Sequence, residues 1–254
     1  MPAVFLGHGS PMNAVARNRY TDAWSALGQH LGRPKAVLAV SAHWYVPGTG
    51  VTISTAPRTL HDFGGFPPEL YQVSYPAPGD PALARRVQEL LAPLPVAFDE
   101  RWGLDHGTWA VLRHVYPYAD VPIVQLSLQE GLDPATHLAM GRALAPLRDE
   151  GVLIIGSGMS YHNLRELLGN GSRGNDASER FDSWLTQAVE DPDPGARDNH
   201  LAHWSEAPGA LNAHPRSEHL LPLMVAAGAA GDDRGRRVFN DRIWGKAISG
   251  YQFG

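Results

Sequence analysis

Cysteine is missing from all 254 residues. That excludes disulfides, thiolate metal ligands and a cysteine nucleophile, and it fits a reducing compartment. Long apolar runs are missing too: no stretch nears the ~18 residues a membrane span requires, so no membrane partner is expected. The apolar run at the amino terminus ends at Gly7 after a few residues and has no basic leader before it, so no secretory signal is expected there and the expected address is cytoplasmic. Lys and Arg form no block, and the net charge is a mild -5; nucleic-acid binding therefore has no electrostatic footprint. Short catalytic signatures are also lacking. No H-E-x-x-H pairs two histidines, no G-x-S-x-G surrounds Ser10, Ser41 or Ser157, and the glycines of Gly7-His8-Gly9 and Gly156-Ser157-Gly158 match no phosphate-binding fingerprint.

What is present is a globular composition, 43% hydrophobic and 19% charged, with 12 histidines and 21 prolines. Three short apolar runs end near histidines. Ala3-Val4-Phe5-Leu6 leads to His8, Ala36-Val37-Leu38-Ala39-Val40 leads to His43, and Val152-Leu153-Ile154-Ile155 leads through Gly156-Ser157-Gly158 to His162. Runs so short and so rich in small and β-branched residues read as buried strands. Open α/β sheets place ligands at the carboxyl ends of such strands. If the three lie side by side, their imidazoles converge on one point.

Between the strands lie helix signals. A helix is expected over Tyr20 to Leu31, closed by Gly32 and Pro34; Asp80-Pro81 and Asp133-Pro134 each open another, as N-cap and first-turn proline. Val51 to Ser54, Val96 to Phe98 and Val121 to Leu128 read as further strands, and Ala177 to Val189 as an amphipathic helix that Asp191 to Pro194 breaks. Leu164 to Gly174 reads as a helix decaying into a polar loop, and the tail from Arg237 to Phe253 has strand character. Because Pro222 cannot donate to a helical bond, the last helix must begin only a few residues before it, which puts His219 in its first turn, pointing out of the core. Alternating strands and helices, with no linker or repeat, predict one α/β domain over residues 1–254, a central and mostly buried sheet flanked by helices. The irregular region from Thr59 to Pro78 mixes aromatics with Gly and Pro. It suits a loop covering a pocket and, equally, a rigid aromatic loop packed for stability.

Among the histidines, His30, His114, His137, His200 and His203 sit in ordinary helical or polar contexts, and His214 is undecided. His8, His43, His162 and His219 fall at element boundaries, where side chains can share a cavity. Neutral imidazoles suit Zn, Fe, Cu or Ni rather than Mg or Ca. The competing reading has them hydrogen-bonding strand-end backbone.

Six blocks carry a resemblance to a known family: Gly7-His8-Gly9-Ser10-Pro11-Met12, Ser41-Ala42-His43-Trp44, His61-Asp62-Phe63-Gly64-Gly65-Phe66-Pro67, Asp105-His106-Gly107-Thr108-Trp109, His162-Asn163-Leu164 and Glu218-His219-Leu220-Leu221-Pro222-Leu223. In this order they resemble the DODA-type (4,5-DOPA extradiol dioxygenase) branch of the class III, LigB-like extradiol ring-cleavage dioxygenases. The resemblance implies a LigB-like fold and a non-haem Fe(II) enzyme that uses O2 to open a catechol to a semialdehyde. It implies His8, His43 and His219 as metal ligands, and His162 as the acid/base residue and a possible fourth ligand. His106 is implied as a catalytic partner touching the substrate hydroxyls, and the loop bearing His61, Phe63 and Phe66 as the cover over the ring. Classical LigB-type enzymes supply a glutamate where this chain has His219, with Glu218 beside it. Consecutive helical residues point about 100° apart, so only one of the pair is expected at the ion. An all-histidine set also accommodates Zn(II), which keeps a zinc-dependent hydrolase as the alternative. A non-catalytic binding protein on the same fold is a third reading. Exposed aromatics between Phe63 and Tyr75 are compatible with a homo-oligomer.

Overall fold

The computed structural model of the chain describes residues 1–169 and 174–254. Its strands are β1 (Ala3–Gly7), β2 (Ala36–Val46), β3 (Thr49–Thr52), β4 (Val96–Asp99), β5 (Ile123–Gln129), β6 (Val152–Gly158), β7 (Gly235–Ile243) and β8 (Lys246–Phe253). The helices are α1 (Arg19–Leu31), α2 (Pro81–Leu91), α3 (His106–Val115), α4 (Pro134–Leu144), α5 (Pro146–Asp149), α6 (Leu164–Leu167), α7 (Asn175–Val189), α8 (Pro194–Ala202), α9 (Ala210–Ala213) and α10 (Leu221–Ala229). All the strands join one sheet in the order β4-β3-β5-β2-β6-β1-β8-β7. Its centre is parallel, with β6 between β2 and β1 and with β5 beyond β2. The expected α/β architecture is therefore the observed one, and the three histidine-bearing strands are neighbours. The apolar runs of β1, β5 and β6 are buried along nearly their whole length, as strands covered on both faces require.

Local chemistry accounts for the helix starts. Asp80, Asp105 and Asp133 each accept a hydrogen bond from the first turn of the helix they precede. Asn18 and Thr21 form a reciprocal capping box on α1. The last helix, α10, is apolar all round and wholly buried, packed against α4, β6 and β1.

Four expectations need adjusting. Asp191 to Pro194 does end α7, but Asp193 also caps a new helix, α8, with Pro194 at its first position. Of the segment expected as helix decaying into loop, α6 covers only Leu164–Leu167, and residues 170–173 lie outside the described ones. Strand β2 does not stop short of His43 but runs on to Val46. Its pairing with β5 shifts register between Val40 and Tyr45, and His43 lies in that irregular stretch, where a bulge can re-aim a side chain. Finally, His219 precedes α10 instead of lying in its first turn, and it is buried, with 5% of its surface exposed. The cause is a backbone clamp: Met159 N–H donates to the His219 carbonyl at 2.8 Å. Gly158 makes the approach possible, because a Cβ there would stand 2.0 Å from the same oxygen.

Candidate metal centre

Each histidine arrives by a different route. His8 is the first residue beyond β1, and its N–H donates to the Gly158 carbonyl of β6. His43 projects from the irregular stretch of β2. His106 opens α3, whose cap Asp105 is fully buried and bonded to Ser41 and Gln125. Gly107 lets α3 start close to β2, since a Cβ there would meet Ser41 Oγ at 2.6 Å. His162 follows β6 on a turn held by its N–H to the Ala213 carbonyl. These elements bring five imidazoles together. Ring centroids lie 4.8 Å apart for His8 and His43, 4.0 Å for His43 and His106, and 5.3 Å for His8 and His219. His162 stacks on His219 at 3.3 Å. Two donor triplets result that could hold a metal ion, His8 with His43 and His106, and His162 with Glu218 and His219.

Hydrogen bonds to the far side of the rings fix which nitrogen is free. The Ser157 hydroxyl donates its one proton to the Gly107 carbonyl, so it can only accept from Nδ1–H of His8, 3.0 Å away. Glu218 accepts from Nδ1–H of His219 at 3.0 Å, and Asp62 from Nδ1–H of His106 at 2.9 Å. Each of these rings is left with Nε2 as its ligating nitrogen.

The Nε2 atoms of His8 and His43 stand 3.0 Å apart. With the proton of His8 on Nδ1, a lone pair faces His43. If His43 answers with Nε2–H, its bare Nδ1 confronts the Asp62 carboxylate at 3.6 Å; if not, two lone pairs oppose each other. A cation between them relieves either conflict. Two nitrogens about 2.1 Å from one ion and 90–110° apart are themselves about 3.0–3.4 Å apart, so the donors fit a first-row metal.

Burial favours neutral rings. It lowers His8 and His219 well below the ordinary histidine value, helped by the neighbouring imidazoles. It pushes His43 down to about 3, with His106 adding to the effect, and His162 down to about 4. Burial and the charge of Asp62 push Asp105 up to about 6. At neutral pH His8, His43, His162 and His219 can thus ligate an ion or accept a proton without first losing one.

Of the residues singled out in the sequence, His8, His43, His106, His162 and His219 are brought together. Phe63 reaches the group, its ring 5.6 Å from that of His106, and Phe66 packs on Phe63. His61 turns the other way: its Nε2–H donates to the Val73 carbonyl, and its ring packs on Trp109. His214 is a buried neighbour, donating to the Ser160 carbonyl between Phe181 and Trp204. His114, His137 and His203 hydrogen-bond backbone away from the centre, as expected. Sequence reasoning gave no role to Ser157, Asp62 or Glu218, which orient the rings. Ser157 left a signal, a lone hydroxyl at the end of a wholly apolar strand.

Residues 2–250 match the family described as the catalytic LigB subunit of aromatic ring-opening dioxygenase. The chain is 48% identical over 231 residues to the 4,5-DOPA dioxygenase extradiol of Escherichia coli K12, covering 90% of this chain and 85% of that one. It is 39% identical over 254 residues to the protein of the same name from Beta vulgaris, covering 97% and 93%. The crystal structure of an uncharacterized protein from Escherichia coli K12 superposes over the full length of both chains, with a TM-score of 0.86 and 40% identity.

Proposed function

The chain belongs to the family of the catalytic LigB subunit of aromatic ring-opening dioxygenases and is an extradiol ring-opening enzyme, and we propose that it acts with Fe(II) on a substituted catechol of DOPA type. Residues 1–254 serve as one catalytic domain in this reading, working in the cytoplasm; among the described residues no helix is long and apolar enough to cross a membrane. The metal ligands in this reading are His8, His43 and His219, with His162 stacked on His219 beside them as a fourth candidate. Zn(II) fits the same imidazole donors but leaves the enzyme without redox chemistry.

The observation that carries the reading is the opposition of the His8 and His43 Nε2 atoms at 3.0 Å, beside three further imidazoles. Bound Fe(II) supplies the redox chemistry that lets the catechol and O2 react. The ring C–C bond next to the diol breaks, one end becoming an aldehyde and the other a carboxylic acid, each with one atom of O2. His162, neutral at pH 7, accepts a proton from a substrate hydroxyl and returns it later in the cycle. His106 has its Nδ1 proton held by Asp62 and offers Nε2 to the second hydroxyl. Phe63 and Phe66 pack against the ring of the substrate and keep water from it.

Anaerobic loading with Fe(II), followed by a catechol panel that includes L-DOPA, tests the proposal. Oxygen uptake should match the appearance of a yellow semialdehyde. Hydrolysis of an ester or amide by the Zn(II) form, with no oxygen uptake by the Fe(II) form, would instead select the zinc hydrolase.

A further inference from the structure

We infer that Asp62 is a positioning residue that couples the aromatic loop to the metal centre, so that ordering the loop and loading the ion strengthen one another. The inference deepens the metal-dependent reading above and rests on it for the use of the ion. The coupling itself stands on the contacts of the loop.

Asp62 belongs to the irregular segment 60–67, not to a helix or strand. Its Oδ1 accepts from the backbone N–H of His106 and its Oδ2 from Nδ1–H of the same residue, both at 2.9 Å. The same Oδ2 stands 3.6 Å from Nδ1 of His43. One carboxylate on a loop therefore addresses two rings of the centre. Further anchors lie at the start of the segment, where Trp109 Nε1–H donates to the Leu60 carbonyl at 2.7 Å, Leu60 N–H to the Leu104 carbonyl at 2.8 Å and His61 Nε2–H to the Val73 carbonyl at 3.0 Å. Beyond Asp62 the chain is held mainly by Phe63, packed between His106, Phe66 and Tyr71. The tip at Gly64 and Gly65 has open space around it. Release of Asp62 would leave residues 62–66 held by that aromatic packing and a long bond from Phe66 N–H to the Tyr71 hydroxyl.

A carboxylate can only accept, so it holds the proton of His106 on Nδ1 and its charge favours the same tautomer in His43, leaving Nε2 bare. An ion drawing on Nε2 of His43 makes the Nδ1–H of that ring, which faces Asp62 at 3.6 Å, a stronger donor toward the carboxylate. Loading the metal thus tightens the hold on the loop. By linkage, a loop fixed in place raises the affinity for the ion by the same factor.

The test is Asp62→Asn, which keeps the shape but can present N–H to Nδ1 of His106 and drive the ring proton to Nε2. Three readouts apply, none requiring turnover. Zn(II) affinity, from chelator competition, should fall about 10- to 100-fold, as for lost partners of metal-binding histidines. Ring 15N–1H correlation spectra of the metal-free protein should show the His106 proton on Nδ1 in the wild type and on Nε2 in the variant. Cleavage after Phe63 by a chymotrypsin-type protease should slow about tenfold on adding Zn(II) to the wild type and not in the variant. Unchanged affinity, an unchanged tautomer or equal protection would overturn the inference. If the variant does not fold, the wild type alone decides, because absence of Zn(II) protection at the loop refutes the coupling. Fe(II)-dependent turnover of a catechol by the wild type reports separately on the function: an active enzyme with an unprotected loop sinks the coupling and leaves the activity standing.

Discussion

Replacing Ser157 with alanine isolates the geometry that prepares His8. The serine is 1% exposed, and its hydroxyl serves two partners, accepting from His8 Nδ1–H and donating to the Gly107 carbonyl. Without it, the His8 proton is free to move to Nε2, where His43 can accept it at 3.0 Å. The ring is then satisfied in the metal-free protein but blocked as a ligand. The Gly107 carbonyl keeps its helical partner within α3 and loses only its second donor, which costs about 0.5–1.5 kcal/mol, the net worth of one hydrogen bond. Two effects of different size follow. Urea unfolding of the metal-free protein should show a loss of about 0.5–1.5 kcal/mol. Zn(II) affinity measured by chelator competition should fall about 10- to 100-fold, a further 1.4–2.8 kcal/mol felt only with metal present. Affinity within twofold of wild type, despite the stability loss, would refute the claim that Ser157 sets the tautomer of His8.

Three other outcomes are expected. His162→Ala should keep its metal while turnover of a catechol by the Fe(II) form falls ~100-fold or more; a metal-free preparation would make His162 an obligatory ligand instead. Gly158→Ala sets a methyl 2.0 Å from the His219 carbonyl, so it should destabilise the fold by about 1–3 kcal/mol and lower the bound zinc per chain, both measurable on one purified sample. Burial pushes His214 down to about 3, while the unfolded chain protonates it near the ordinary 6.5. Stability is therefore complete above about pH 6.5 and is lost as pH falls toward 3, at up to about 1.4 kcal/mol per pH unit for each such histidine. Denaturation of the metal-free protein between pH 7 and 4.5 should show a steep decline, shallower by about one proton in His214→Phe; an identical slope in the two proteins would exclude His214 as a contributor.

Local signals in the sequence determined much of the architecture. Aspartate followed by proline marked α2 and α4, apolar runs marked β1, β5 and β6, and alternation of the two element types implied a sheet covered by helices. His8, His43 and His162 were legible because they stand at the ends of such runs, a pattern that depends only on neighbours in the chain, whereas His219 was read from the start of a helix and His106 from the family resemblance alone. Tertiary structure decided the rest. That β6 lies between β1 and β2 is a matter of strand pairing across more than a hundred residues, which no local periodicity encodes. The bulge that aims His43 exists only against β5, and the burial of His219 follows from a bond between its carbonyl and Met159. Asp62, Ser157 and Glu218 look in sequence like ordinary loop and strand-end polar residues. Their importance lies in which imidazole nitrogen each one reaches, and for Ser157 that partner is 149 residues away. A side chain's chemistry is written in its own residue type, whereas the tautomer it imposes on a neighbour is set by a distance that only the folded chain fixes.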